Sequence, residues 1–251
     1  MVAKRELLES LREQVRRIET AERPNGQSVS LGCPALDALL PQRGVARGTI
    51  HEWLAPRGGS GAEILSLIAA REACRDGGAL AVIDSIGCFY PPAAALWGIG
   101  LENTIVIRPE SRRDAAWAID QALRCSAVAA VWGFVDLIGE RWLRRFQLSA
   151  EQSGCLGLFV RPTSATGKPT WSESQWLCRG VARKLNRAGE DRLVQVRLLR
   201  LRGGAAGANV TLRIDFQTGS VQLARRIDEA NGVRLSERLA NPTVGRKAAR
   251  A

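Results

Sequence analysis

The chain has 251 residues, 45% hydrophobic and 5% aromatic, and its 36 Lys and Arg against 25 Asp and Glu give a net charge of +11. That length allows one α/β domain with a substantial core plus appendages, and the apolar content excludes a chain disordered throughout. No apolar run is long and uninterrupted enough to span a bilayer, and the first ten residues carry no apolar h-region, so the expected location is the cytoplasm.

The charge is unevenly placed. Residues 1–178 carry 20 Lys and Arg against 19 Asp and Glu, whereas residues 179–251 carry 16 against 6. A C-terminal part this basic points to a polyanion or an acidic protein surface. The plainer account is that Arg is the default surface cation of a chain whose lysines are Lys4, Lys168, Lys184 and Lys247. Cys33, Cys74, Cys88, Cys125, Cys155 and Cys178 lie far apart with no C-x-x-C, and His51 is the single histidine. That spacing offers no zinc site, so no metal is expected and the cysteines read as buried, reduced thiols.

In chain order, residues 3–22 place Leu7, Leu8, Leu11, Val15 and Ile18 on one face of a helix whose other faces are Arg and Glu, ended by Pro24-Asn25-Gly26. Such a helix packs on its own core or docks on another molecule. Leu7, Leu11, Val15 and Ile18 are therefore candidate partner-binding residues. The expected organisation is this helix and linker over residues 1–26, a core domain over 27–225, and a flexible basic tail over 226–251.

The stretch from Ile50 to Ile68 is a β-prone apolar run, a Gly-rich turn and a helical pattern. A phosphate-binding P-loop has this architecture, strand, G-x-x-x-x-G-K-[ST], helix, because turn N–H groups and the positive end of the helix cradle phosphates. With Gly61 as the second glycine, Pro56 takes the place of the first, Ala62 that of the lysine, and Glu63 that of the magnesium-holding hydroxyl. Pro56, Arg57, Gly58, Gly59, Ser60, Gly61, Ala62 and Glu63 thus form a degenerate nucleotide loop, expected to keep its shape and lose its chemistry, with no cofactor. Arg57 is the one cation in the turn able to substitute for the lysine.

Just before this loop, Ser30, Gly32, Leu36, Asp37, Leu40, Gly44, Gly48, Ile50 and Glu52 fall into step with "S-T-G-x-x-x-L-D-x-x-L…G-G-x-P-x-G-x-I-x-E". On these residues the chain resembles the RecA recombinase superfamily. The resemblance implies a RecA-like, mostly parallel sheet flanked by helices. It also implies a catalytic glutamate after the strand Ala79–Asp84, where Ile86 stands, and a Walker B carboxylate at the end of the strand Val128–Phe134, where Gly133 stands and Asp136 follows. The long loops with which recombinases of this superfamily grip single-stranded DNA are here missing or compressed into residues 161–170.

Helices are expected over Ala62–Arg75, from Ser111 to about Cys125, and from about Gly139 to Ser153. Strands are expected over residues 105–107, 154–160, 193–201, 210–216 and 221–223, the last two joined as a hairpin through Gln217–Ser220. This αβ alternation, then strands alone, reads as an α/β fold with a C-terminal β-hairpin. Trp171 and Trp176 beside Arg179, Arg183 and Lys184 either stack on bases or cover a sheet edge. By alternation Arg197, Arg213 and Arg225 point outward, and with Arg246 and Lys247 in the tail they complete the candidate DNA-binding set. No nucleophile elbow is present, and His51, next to Glu52 on a strand, reads as a residue in a polar pocket rather than a base.

A shortened core with a decayed loop and a basic C-terminal region resembles, over about residues 28–225, the ImuA-type proteins, whose shorter relatives are also termed RecA-like or SulA-like. That resemblance implies a non-catalytic accessory of the DNA-damage response, working in translesion synthesis with an ImuB-type inactive Y-family polymerase and an error-prone replicative-type polymerase, with DNA a further partner; the sequence leaves self-association open as well. The rival reading is a RecA- or KaiC-like ATPase with an atypical loop.

Overall fold

The computed structural model describes residues 28–56, 59–136, 138–183, 191–224 and 232–234. The expected helix over 3–22, and with it Leu7, Leu11, Val15 and Ile18, lies outside these, as do Arg57, Gly58, Lys184, Arg225, Arg246 and Lys247.

The strands are β1 (Ser28–Val29), β2 (Val45–Ala46), β3 (Ile50–Ala55), β4 (Ala79–Ile83), β5 (Thr104–Ile107), β6 (Val128–Phe134), β7 (Leu156–Pro162), β8 (Ser174–Arg183), β9 (Asp191–Leu201), β10 (Asn209–Asp215), β11 (Val221–Leu223) and β12 (Gly232–Arg234). The helices are α1 (Pro34–Asp37), α2 (Ala62–Ala73), α3 (Pro91–Leu96), α4 (Arg112–Arg124) and α5 (Glu140–Ser153). β1 and β2 pair with each other; the rest form one sheet in the order β11-β10-β9-β8-β3-β7-β6-β4-β5, with β12 against β8. From β5 through β8 neighbouring strands run parallel, and β9, β10 and β11 continue antiparallel. The α/β expectation is met. Sequence patterning assigns no element to α1, α3, β1 or β2.

Two layers cover the sheet. On one face lies α2, apolar nearly all round and so buried nearly all round, as a helix without a polar stripe must be. Against it pack Trp53, Trp132, Trp176, Val194, Val196 and Ile214. On the other face α4 and α5 cover Ile50, Ile83, Val131 and Phe159. Ser111 caps α4 by accepting the Asp114 N–H.

Buried Asp120 ties those two helices together. It accepts from Arg124 one turn on, and from Arg145 and Ser149 across on α5. Burial alone raises its carboxyl; the hydrogen bonds from Arg145 and Ser149 and the charges of Arg124 and Arg145 outweigh that and hold it below the ordinary carboxylate value. A folded value below the unfolded one gives stability that is complete above the ordinary range and lost as pH falls through the folded value. Urea melts from pH 7 to pH 3 should therefore show a loss of stability at the acid end that is shallower in Asp120→Asn.

Three expectations need correction. Trp176 covers no edge: it is fully buried in the middle of the sheet, stacked on Trp53 with centroids 5.6 Å apart, because β8 is followed by three further strands. Cys88 and Cys125 are exposed and Cys74 half-buried, while Cys33, Cys155 and Cys178 are buried; all six are free. Finally, residues 232–234, expected within a flexible tail, form β12, with Gly232 opposite Arg183.

Candidate functional site

β3 carries the chain through the middle of the sheet to the loop. Beside Glu52, His51 is buried and bonded at both ring nitrogens, Nε2 to Thr49 Oγ and Nδ1 to Ser174 Oγ, each at 2.7 Å. Ser174 Oγ accepts the Trp176 N–H, and the Thr49 hydroxyl donates to the Ala46 carbonyl. A chain running in one direction, from Trp176 through Ser174, His51 and Thr49 to Ala46, suits a neutral imidazole with its proton on Nε2. His51 is thus a structural link, as the sequence indicated.

Glu52, fully buried, accepts from Arg161 Nη1 and Gln175 Nε2 at 2.5 Å and from Thr170 Oγ at 3.0 Å. It pins β7, β8 and the segment between them onto β3. That segment, residues 163–173, is a parallel crossover with one 3-10 turn and no α-helix, where such connections ordinarily use a helix.

Past Ala55, Pro56 is exposed, and Gly59 and Gly61 take left-handed φ of 66° and 84°. Gly61 admits no side chain: a Cβ there would stand 2.5 Å from Val194 Cγ2. Ser60 is buried, and its Oγ accepts the Ala62 N–H at 3.3 Å, occupying a donor at the head of α2. Arg192 on β9 donates to the Gly59 carbonyl at 3.0 Å, its guanidinium 5.2 Å from the Phe216 ring. Gly59 and Gly61 thus give the described part of the turn its left-handed bends, and Arg192 ties it to the antiparallel strands.

The positions that the RecA resemblance assigns to phosphate, metal and water hold Ala62, Glu63, Gly133 and Ile86. Ala62 is fully buried, and Glu63 is half-buried in the first turn of α2, where the positive end of the helix favours its charge. A Cβ on Gly133 would lie 2.8 Å from the Ile83 carbonyl oxygen, so no carboxylate fits there without moving the backbone. Asp136 is exposed, two residues past β6. Ile86 is 65% exposed in the turn after β4. Asp84 accepts the Cys88 and Phe89 N–H groups and faces Arg108 Nε at 3.4 Å, so it organises that turn. Trp132 fills the space beside α2, donating to Ser66 Oγ at 2.8 Å between Phe89 and Phe134. No group of three His, Cys, Asp or Glu able to hold a metal occurs among the described residues.

Cross-strand register puts Arg179, Arg197 and Arg213 on one sheet face: Arg179 opposes Gln195, Arg197 opposes Leu177 and Asn209, and Arg213 opposes Leu193. The other face is the core side, with Cys178, Val194, Val196 and Leu212. Arg179 and Arg197 are exposed and Arg213 is half-buried. Arg183 ends the same strand β8. Sequence reasoning misses Arg192, although the alternation that turns Val194 and Val196 inward places it on their face. It also misses a cavity of about 760 Å³ lined by Glu140, Lys168, Trp171, Arg200 and Arg202. That cavity forms only when the crossover folds back beside β9.

No protein-family model matches the chain. Its sequence is similar to bacterial RecA: 32% identical to that of Chlorobium limicola over 105 residues, 42% of this chain and 30% of that protein. It is 28% identical to RecA of Clostridium acetobutylicum over 158 residues, 54% of this chain and 45% of that one. The chain thus spans less than half the length of these curated relatives. In three dimensions it is similar to the crystal structure of the RadB recombinase, with a TM-score of 0.60 and 19% identity over 78% of this chain and all of that one. At that identity the likeness is one of fold.

Proposed function

On its RecA-like core we propose that this chain is a non-hydrolysing accessory of the DNA-damage response, an adaptor in translesion synthesis. In this reading the core is a platform, the N-terminal segment docks an ImuB-type inactive Y-family polymerase, and the basic sheet face meets DNA beside an error-prone replicative-type polymerase. The observation that carries it is the filled site: Ala62 buried where a cation is needed, Gly133 without room for a carboxylate, and Ile86 exposed where a base is needed. A phosphate loop without its lysine lacks a charge-assisted contact of about 1.5–3 kcal/mol, and Glu63 adds repulsion.

Titration with mantATP and Mg²⁺ should give no saturable signal, and ATP should not turn over. Saturable binding that weakens in Arg57→Ala would favour the ATPase reading. For the partner, Leu11→Asp with Val15→Asp should abolish pull-down of an ImuB-type protein while leaving the thermal transition of the core in place; undiminished capture would count against docking through that helix. DNA contact through the sheet face predicts oligonucleotide binding whose salt slope falls by about 1 for each arginine among Arg179 and Arg197 replaced by Ala.

A further inference from the structure

Independently of that reading, we propose that the cavity beside β9 takes an acidic peptide segment of a partner protein, its carboxylates met by Lys168, Arg200 and Arg202 and one apolar side chain by Trp171. Three cations line this cavity against one carboxylate, Glu140. None of the three makes an ion pair with a carboxylate among the described residues, whereas Arg145 and Arg161 are spent on Asp120 and Glu52. The cavity is therefore a place of uncompensated positive charge.

The fold accounts for its existence and its rigidity. The crossover from β7 to β8 lacks the helix that such a connection ordinarily packs on the sheet, so Gln175 on β8 and Leu199 and Arg200 on β9 line a cavity instead of lying under that helix. Thr170 from the crossover and Gln175 from the sheet both donate to Glu52, which fixes wall and floor to each other. Arg200 donates from Nη1 to the Thr170 and Ser172 carbonyls at 3.2 and 2.8 Å. Those bonds hold its guanidinium and leave the Nε and Nη2 donors unused among the described residues. A fork oriented in advance meets a carboxylate with little further loss of side-chain freedom. Lys168 and Arg202 are exposed, so the cavity is open to a segment arriving from solvent.

Apolar contacts decide the kind of anion. Trp171 lines the cavity, with the Arg144 guanidinium 5.0 Å from its ring centre, and Pro169 and Leu199 belong to the same lining. Inorganic phosphate would leave that surface unused, and a peptide with an apolar residue among its acids covers it. A nucleic-acid strand fits less well, because strand sites track several nucleotides and stack successive bases on successive aromatics. This lining holds one aromatic ring, and its volume of about 760 Å³ is that of a site for a single small ligand or a few side chains.

Fluorescein-labelled Asp-Asp-Phe-Asp-Asp, followed by fluorescence polarisation on the full chain, should bind saturably. Replacing its Phe by Ser, or Trp171→Ala in the chain, should each weaken binding by roughly tenfold, the loss expected of an aromatic anchor and its pocket; Trp171→Phe should retain most of it. Lys168→Glu with Arg202→Glu should abolish binding with the far-ultraviolet spectrum unchanged, since neither side chain makes a hydrogen bond or ion pair among the described residues. Absence of saturable binding would overturn the proposal. So would an affinity indifferent to Lys168→Glu with Arg202→Glu or to loss of the Phe, or displacement of the peptide by oligothymidylate at lower concentration than by unlabelled peptide, which would make the cavity a nucleic-acid site.

Discussion

Glu52→Ala is expected to destabilise the fold by about 3–5 kcal/mol, the usual consequence of removing one partner from a buried ion pair. Arg161, 4% exposed, would keep its charge with no counter-ion, its Nε already lacking a hydrogen-bond partner. Thr170 and Gln175 would lose their acceptor as well. For a domain of this size that corresponds to a fall in Tm of roughly 6–20 °C by calorimetry. The double variant Glu52→Met with Arg161→Met should recover much of the loss, because a buried pair replaced by apolar groups is often near neutral. A Glu52→Ala loss under about 1 kcal/mol would mean that Glu52 does not fasten β3, β7 and β8.

Trp176→Ala should cost about 3–5 kcal/mol in urea unfolding, the range for truncating a buried aromatic. Its ring stacks on Trp53 at an interplanar angle of 16°, and its N–H is held by Ser174 at 2.7 Å. Truncation opens a cavity between the sheet and α2 and interrupts the hydrogen-bond chain through His51. An edge tryptophan would lose far less, so the same measurement separates the core position from the edge position that sequence alone suggests. Trp176→Phe should cost less than Trp176→Ala, since most of the volume remains.

The motif that carries the RecA resemblance proves to be architectural. Asp37 accepts from the Ser30 hydroxyl and the Leu31 N–H at 2.6 and 2.7 Å, closing the segment on itself. Gly32, at φ +76°, sits where a Cβ would overlap Ile68 Cγ2 on α2. At Gly48, φ +74°, a Cβ would lie 3.1 Å from the Ala150 carbonyl oxygen of α5. Glu52 holds the central strands. Asp37 closes its segment, Gly32 and Gly48 let it approach a helix closely, and Glu52 fastens the central strands, requirements that hold whether or not the loop binds nucleotide.

The sequence by itself determined most of the longer elements and the residue types in the loop. Periodicity located β6 and β11 to the residue, and α2, α4, α5, β4, β5, β7, β9 and β10 within one or two residues, because hydrophobic spacing is a local property of the chain. That Ala62, Glu63, Ile86 and Gly133 stand at the offsets the RecA resemblance marks was legible for the same reason, being a matter of residue identity. Only the tertiary structure decided that Trp176 is central, that Gly133 has no room, that Arg192 ties down the loop, and that Lys168, Trp171 and Arg202 line one cavity. Each of those depends on which strand neighbours which, and the order β8-β3-β7 brings together residues more than 100 positions apart, through contacts that no spacing along the chain records.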